Sequence, residues 1–156
     1  MRLVFWAGFW VFLADQASKY LVVHWMNLQS LQAIDVWPPY VNFRMAWNYG
    51  INFGLFAQSS ELTRWALIVV ALVISGAVLW WIKHDQASLI ARISAGFLVG
   101  GAVGNVVDRI LYGAVADFLN MSCCGLSNPY AFNIADIAVF AGAIGMVLFT
   151  SGKKAA

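Results

Sequence analysis

The sequence predicts an all-α membrane protein of four transmembrane helices, with a small external β element between spans one and two. Three observations predict it. The 156 residues are 62% hydrophobic and 10% charged, with a mean hydropathy of +0.76. A soluble domain of that size would show far more Lys, Glu and Asp. Four stretches each supply the roughly 20 apolar residues that a helix needs to cross the hydrocarbon layer. Lys and Arg divide into two unequal groups, which a chain crossing four times sorts to opposite sides. Residues 1–156 therefore read as a single integral membrane domain. A net charge of +2 without a basic run gives no footprint for nucleic acid.

Span one covers about residues 3–25. Its apolar run is interrupted by Asp15-Gln16-Ala17-Ser18-Lys19 and resumes at Tyr20-Leu21-Val22-Val23. A cleaved signal would end in a small-residue motif instead, so a retained helix is expected. The external segment, about 26–61, contains Trp37-Pro38-Pro39-Tyr40, which stops a helix and favours extended chain. After it Val41, Phe43, Met45 and Trp47 alternate with Asn42, Arg44 and Ala46, the period of a strand with one apolar face. Asn48-Tyr49-Gly50 reads as a turn. Span two covers about 62–82. Trp25, Trp65, Trp80 and Trp81 fall near span ends, where interfacial anchors belong.

Span three, about 89–107, carries Gly96, Gly100 and Gly104 at intervals of four, a stripe that lets another helix approach closely. Asp108 falls one step further along that face. A second external segment, about 108–130, leads to span four, about 131–150, with its own small-residue face through Ala138, Gly142 and Gly145. Arg2, Lys83, Arg92, Lys153 and Lys154 outnumber Arg44, Arg64 and Arg109, which puts both termini and the loop 83–88 in the cytoplasm.

Acids at membrane depth are expensive and mark functional sites. Asp15, Asp108, Asp117 and Asp136 qualify. Asp15 and Lys19 are four apart on one helix face and are expected to pair. Asp108 is expected to be neutralised by the adjacent Arg109. Asn105 and Asn133 can cap or bridge helices. Asp117 and Asp136 are left without a basic partner, and they flank the same outer loop. Two carboxylates sharing a site hold one proton between them, because repulsion and desolvation raise one pKa. One can then activate a water while the other protonates or hydrogen-bonds a carbonyl oxygen. HExxH and Walker-A patterns are absent, and Ser18, Ser122 and Ser127 have no His nearby in sequence. Cys123 and Cys124 are adjacent, also without a nearby His, so no metal site is expected. A bond between sequence neighbours would be strained, which favours two loop or packing cysteines over a redox pair.

Five blocks carry a family resemblance. They are Asp15-Gln16-Ala17-Ser18-Lys19, Asn48-Tyr49-Gly50-Ile51-Asn52-Phe53-Gly54, Gly104-Asn105-Val106-Val107-Asp108-Arg109, Val115-Ala116-Asp117-Phe118 and Phe132-Asn133-Ile134-Ala135-Asp136. In this order, over essentially the whole length, the chain resembles the lipoprotein signal peptidases (signal peptidase II), integral membrane aspartic endopeptidases of bacteria. The resemblance implies a catalytic dyad of Asp117 and Asp136. It implies supporting roles for Asp15, Lys19, Asn48, Gly50, Asn105, Asp108, Arg109 and Asn133. The implied fold is four helices with an external β-cradle. The implied substrate is a prolipoprotein carrying diacylglycerol on a cysteine, cut just before that residue, with no metal or organic cofactor.

The expected setting is the bacterial inner membrane, with the active site near the outer face, membrane lipid as a partner and a monomeric state. Two stretches depart from the family pattern: Ile51 and Asn52, where small residues are usual, and residues 120–130. The competing readings are a small proton-coupled transporter subunit and a non-catalytic lipoprotein-assembly factor. No internal repeat supports the first, and the second would tolerate Asp→Asn at one dyad position.

Overall fold

The computed structural model describes residues 1–50, 60–85, 87–123 and 128–150. Helix α1 (Arg2–Lys19) continues into a π-helical turn, Tyr20–Trp25, followed by a short α2 (Leu28–Leu31). Strands β1 (Ala33–Trp37) and β2 (Val41–Asn48) come next, then helices α3 (Ser60–His84) and α4 (Leu89–Tyr112). Strand β3 (Val115–Met121) and helix α5 (Ile134–Thr150) complete the order.

Helix α4 is the hub, packed chiefly on α5 and α1 and more lightly on α3. The glycine stripe explains the closeness. A Cβ at Gly96 would sit 2.7 Å from the Val4 carbonyl oxygen of α1, and one at Gly100 would collide with the Gly8 backbone. On α5, Gly142 fits against Leu98 and Ser94 in the same manner. Gly104, the last of the stripe, meets no backbone. It makes room for a carboxylate, since a Cβ there would lie 2.7 Å from Asp15 Oδ2.

Helix α3 leaves Leu62, Val69 and Val73 more than half exposed. An apolar face of that extent suits lipid rather than water. Among the described residues two helices, Glu61–His84 and Leu89–Tyr112, are long and apolar enough to cross a membrane, and Ile134–Thr150 is a shorter apolar helix.

The sheet has the order β1-β2-β3 and is antiparallel throughout. Its third strand corrects the expected β element, which was confined to the segment between spans one and two; β3 comes from the segment between α4 and α5. Ala33–Trp37 pairs with Val41–Arg44, and β2 pairs with β3 from Val41↔Met121 to Asn48↔Val115, with an irregularity between Phe43 and Ala46. Beneath the sheet lies a small core of Val22, Val23, Leu28, Ala116 and Phe118, with Phe43 and Trp47 packed on it. The wider π turn brings the consecutive residues Val22 and Val23 into that core together. Burying a side chain such as Leu28 contributes about 2 kcal/mol.

Two further expectations need correction. Helix α4 runs to Tyr112 rather than ending near residue 107, and Gly113 closes it in the left-handed conformation (φ 79°). Asp108 and Arg109 are therefore helical, not part of an external loop. Helix α5 begins at Ile134 rather than Ala131, because Phe132 bridges to Leu119 and extends the sheet edge. Ile51, Asn52, Cys124, Lys153 and Lys154 lie outside the described residues, as does part of the atypical 120–130 stretch. Cys123 is disulfide-bonded, contrary to the expectation drawn from strain.

Candidate active site

The site is built around the first turn of α5. A helix begins with backbone N–H groups that have no partner in the helix itself. Here the Asn133 side chain accepts from the Asp136 N–H (2.8 Å), while the Asp136 carboxylate accepts from the Asn133 N–H (3.3 Å). This is a reciprocal capping box, with Asp in the place usually taken by Glu or Gln. A third donor, the Ala135 N–H, is met by Asp15 Oδ1 of α1 at 2.9 Å. One acid of the expected pair is thus fixed by the start of its own helix.

The other acid, Asp117, lies on β3 opposite Ala46. The neighbouring Ala116 N–H donates to Asp108 Oδ2 at 3.1 Å, which ties the strand to the end of α4. The Asn133 amide donates to Asp117 Oδ1 at 2.6 Å. The two carboxylates therefore hang from one residue, Asn133, through its side chain on one side and its backbone on the other. Asn105 completes the link, donating to Asp136 Oδ1 at 2.8 Å and accepting from the Asn133 amide at 3.3 Å. On the open side Asn48 donates to Asp117 Oδ2 at 3.1 Å.

Gly50 acts through Asn48. Its N–H donates to Asn48 Oδ1 at 3.0 Å, so the amide presents its NH2 group to Asp117. The turn favours glycine through its backbone first, and a side chain there would also push the tip of Leu67 aside. The φ of Gly50 is +114°, and a Cβ would lie 2.6 Å from Leu67 Cδ1.

Asp117 is 3% exposed, and its pKa is pushed up to about 7. Burial is the main cause and the nearby Asp136 carboxylate the second; the amide bonds from Asn48 and Asn133 oppose them. Among the described residues neither acid has an ion-pair partner.

Behind the pair sits a buried ionic node. Lys19 Nζ lies 2.7 Å from both Asp15 Oδ2 and Asp108 Oδ2. The expected Asp15–Lys19 pair is present, but the expected Asp108–Arg109 pair is replaced by Asp108–Lys19. Adjacent helical residues point about 100° apart and do not face each other. Arg109 instead donates to the Asn105 carbonyl at 3.3 Å, and its electrostatic interaction is strongest with Asp136, then Asp117. Its Nε is buried without a hydrogen-bond partner among the described residues.

All ten expected site residues thus fall in one connected network. The sequence reading missed Gln16. Its amide bridges Asp15 Oδ2 (3.1 Å) and Asp108 Oδ1 (3.0 Å), joining two like charges that share one lysine. Its place inside the first block was the available signal. Among the described residues no three His, Cys, Asp or Glu side chains converge as metal ligands.

The fold is that of a membrane enzyme. A solved bacterial membrane enzyme, determined by the in meso method at 2.3 Å resolution, matches with a TM-score of 0.80 and 25% identity, over 100% of this chain and 94% of its own. The family model for Signal peptidase (SPase) II matches residues 8–151. The lipoprotein signal peptidase of Alteromonas mediterranea is 38% identical over 96% of this chain and 81% of its own length. That of Methylobacterium sp. (strain 4-46) is 39% identical over 90% of this chain and 84% of its own. The chain belongs to the signal peptidase II family.

Proposed function

We propose that the protein removes the signal peptide from diacylglyceryl-modified bacterial prolipoproteins, cutting just before the lipidated cysteine, and that Asp117 and Asp136 form the catalytic dyad of an aspartic endopeptidase. The observation that carries the dyad is their joint suspension from Asn133, with Asp117 raised to about 7. At neutral pH such a pair shares one proton, and its apparent pKa values belong to the pair. Burial and the neighbouring carboxylate favour protonating Asp117, and Arg109 interacts with both acids.

The charged carboxylate takes a proton from a water held between the two. The water oxygen attacks the scissile carbonyl carbon, and the protonated carboxyl gives its hydrogen to the carbonyl oxygen. A tetrahedral intermediate forms without an acyl-enzyme. Its collapse breaks the C–N bond as the amine departs with the proton taken from the water, while a hydroxyl of the intermediate returns its proton to the other carboxylate and restores the shared proton. Asn48, Asn105 and Asn133 fix the carboxylates before substrate arrives, so little reorganisation is left for the reaction itself.

In this reading the chain is a multi-pass protein of the inner membrane, crossing four times as α1, α3, α4 and α5. Both termini are cytoplasmic and the dyad lies near the outer face. The substrate's acyl chains stay in the bilayer and contribute about 0.8 kcal/mol per buried methylene. That binding energy holds the scissile bond against the dyad. A proton-relay reading gains nothing from the geometry, because the acids gather at one end of the helices rather than along them.

The test is direct. Purified Asp117→Asn and Asp136→Asn variants, folded in detergent, should each lose all measurable cleavage of a lipidated precursor, with no energy source added. Full activity in either would refute the dyad.

A further inference from the structure

We infer that a groove on the external sheet is a subsite for the polypeptide that follows the cut, held by the side-chain amides of Asn42 and Asn120. The inference rests on the peptidase reading above. The groove has a volume of about 640 Å³ and runs between β2 and the segment leading into α5. One end is formed by Ala46, the strand partner of Asp117, and Ala131, two residues before Asn133. The other reaches Pro39 and Ser122.

Two side chains make this a binding site rather than a dent. Asn42 is 7% exposed, and its Oδ1 is buried with no hydrogen-bond partner among the described residues. A buried acceptor left unpaired costs about 1–3 kcal/mol, so it is a place where a donor belongs. Asn120, directly across the strand pair from Asn42, has both amide hydrogens committed, to the Asn128 and Tyr130 carbonyls at 2.8 Å each. Its oxygen accepts nothing among the described residues. Cross-strand neighbours are about 5 Å apart. The groove is therefore lined by two adjacent amides, and a turn of the Asn42 side chain brings its unpaired oxygen to an N–H donor there.

An extended polypeptide supplies N–H groups at short regular intervals. Acyl chains and ester groups carry no N–H, and the signal peptide on the other side of the cut returns into the bilayer, away from the external sheet. Ala46 and Asn42 pair with Asp117 and Asn120, three positions apart on β3, about 10 Å of strand. The chain after the lipidated cysteine would thus reach the paired amides about three residues beyond the cut.

The experiment uses the purified protein in detergent with synthetic diacylglyceryl-cysteine precursors that end either at the lipidated cysteine or six residues after it. The longer precursor should show the lower KM at similar kcat. Asn42→Leu should raise KM for the longer precursor by about fivefold, the worth of one hydrogen bond, and leave the shorter one unchanged. Asn42→Asp, which keeps an acceptor, should retain the length effect. Equal KM for both lengths in the parent protein, or an Asn42→Leu variant that handles the long precursor like the parent, overturns the subsite. Either result leaves the dyad standing as long as Asp117→Asn remains inactive. If Asp117→Asn cleaves both precursors, the peptidase assignment of the dyad has failed instead.

Discussion

Asn133 does three things with one side chain and one N–H. It starts α5, aims Asp136 and grips Asp117. Asn48 has a narrower part, and that makes it the better probe of the proton. Its bond to Asp117 favours the charged carboxylate and so works against burial and Asp136. In the free protein, kcat/KM should fall at high pH with a midpoint set by the shared proton, near the value of about 7 carried by Asp117. Removing the Asn48 donor removes a lowering influence. Asn48→Leu should therefore move the alkaline limb to higher pH while lowering the maximum rate. A limb that stays put or moves to lower pH would show that the Asn48 amide does not tune this proton. At this scale the sequence was informative wherever helical spacing fixes neighbours, as for Asp15 and Lys19. It misled at Asp108, where adjacency along the chain was taken for adjacency in space.

The elements meet through small residues, and two glycines separate packing from site support. Gly104→Ala would place a methyl group 2.7 Å from Asp15 Oδ2, displacing the carboxylate that caps α5. A loss of about 1–3 kcal/mol is expected from such overpacking, with activity falling further than stability because Asp136 sits on the same turn. Gly76→Ala meets nothing within 4 Å and should be neutral or more stable by up to about 1 kcal/mol. Thermal unfolding in detergent, run beside a cleavage assay, checks both.

The helices were readable from apolar length alone, yet their ends were not. Ile110-Leu111-Tyr112 prolongs α4 as far as Gly113, whereas the charged Asp108-Arg109 had suggested an exit from the membrane. Strand β3 left no period of two because Val115–Phe118 is buried residue by residue, so both faces are covered. The strand that carries Asp117 was invisible for that reason. By contrast β2, with one apolar face, announced itself. The capping pattern Asn133–Asp136 was legible in principle, but the apolar Ala131 and Phe132 before it blurred the start of α5.

At the scale of the molecule, a chain crossing four times must return its ends to the same side. Reporters fused to the N-terminus and to the C-terminus should both be active in the cytoplasm, and reporters on opposite sides would refute the four-span reading. The network behind Asp117 and Asp136 has its own consequence for how such a chain matures. The bond between Asp15 and Ala135 joins positions 120 residues apart, and Lys19 draws α4 into the same knot. Translation makes α1 long before α5. On the proposed dyad, a nascent copy holding only its early segments has the lysine but not the helix start that aims Asp136, so it has no means of cutting anything. Competence arrives with α5, which spares the membrane from a stray, unfinished protease.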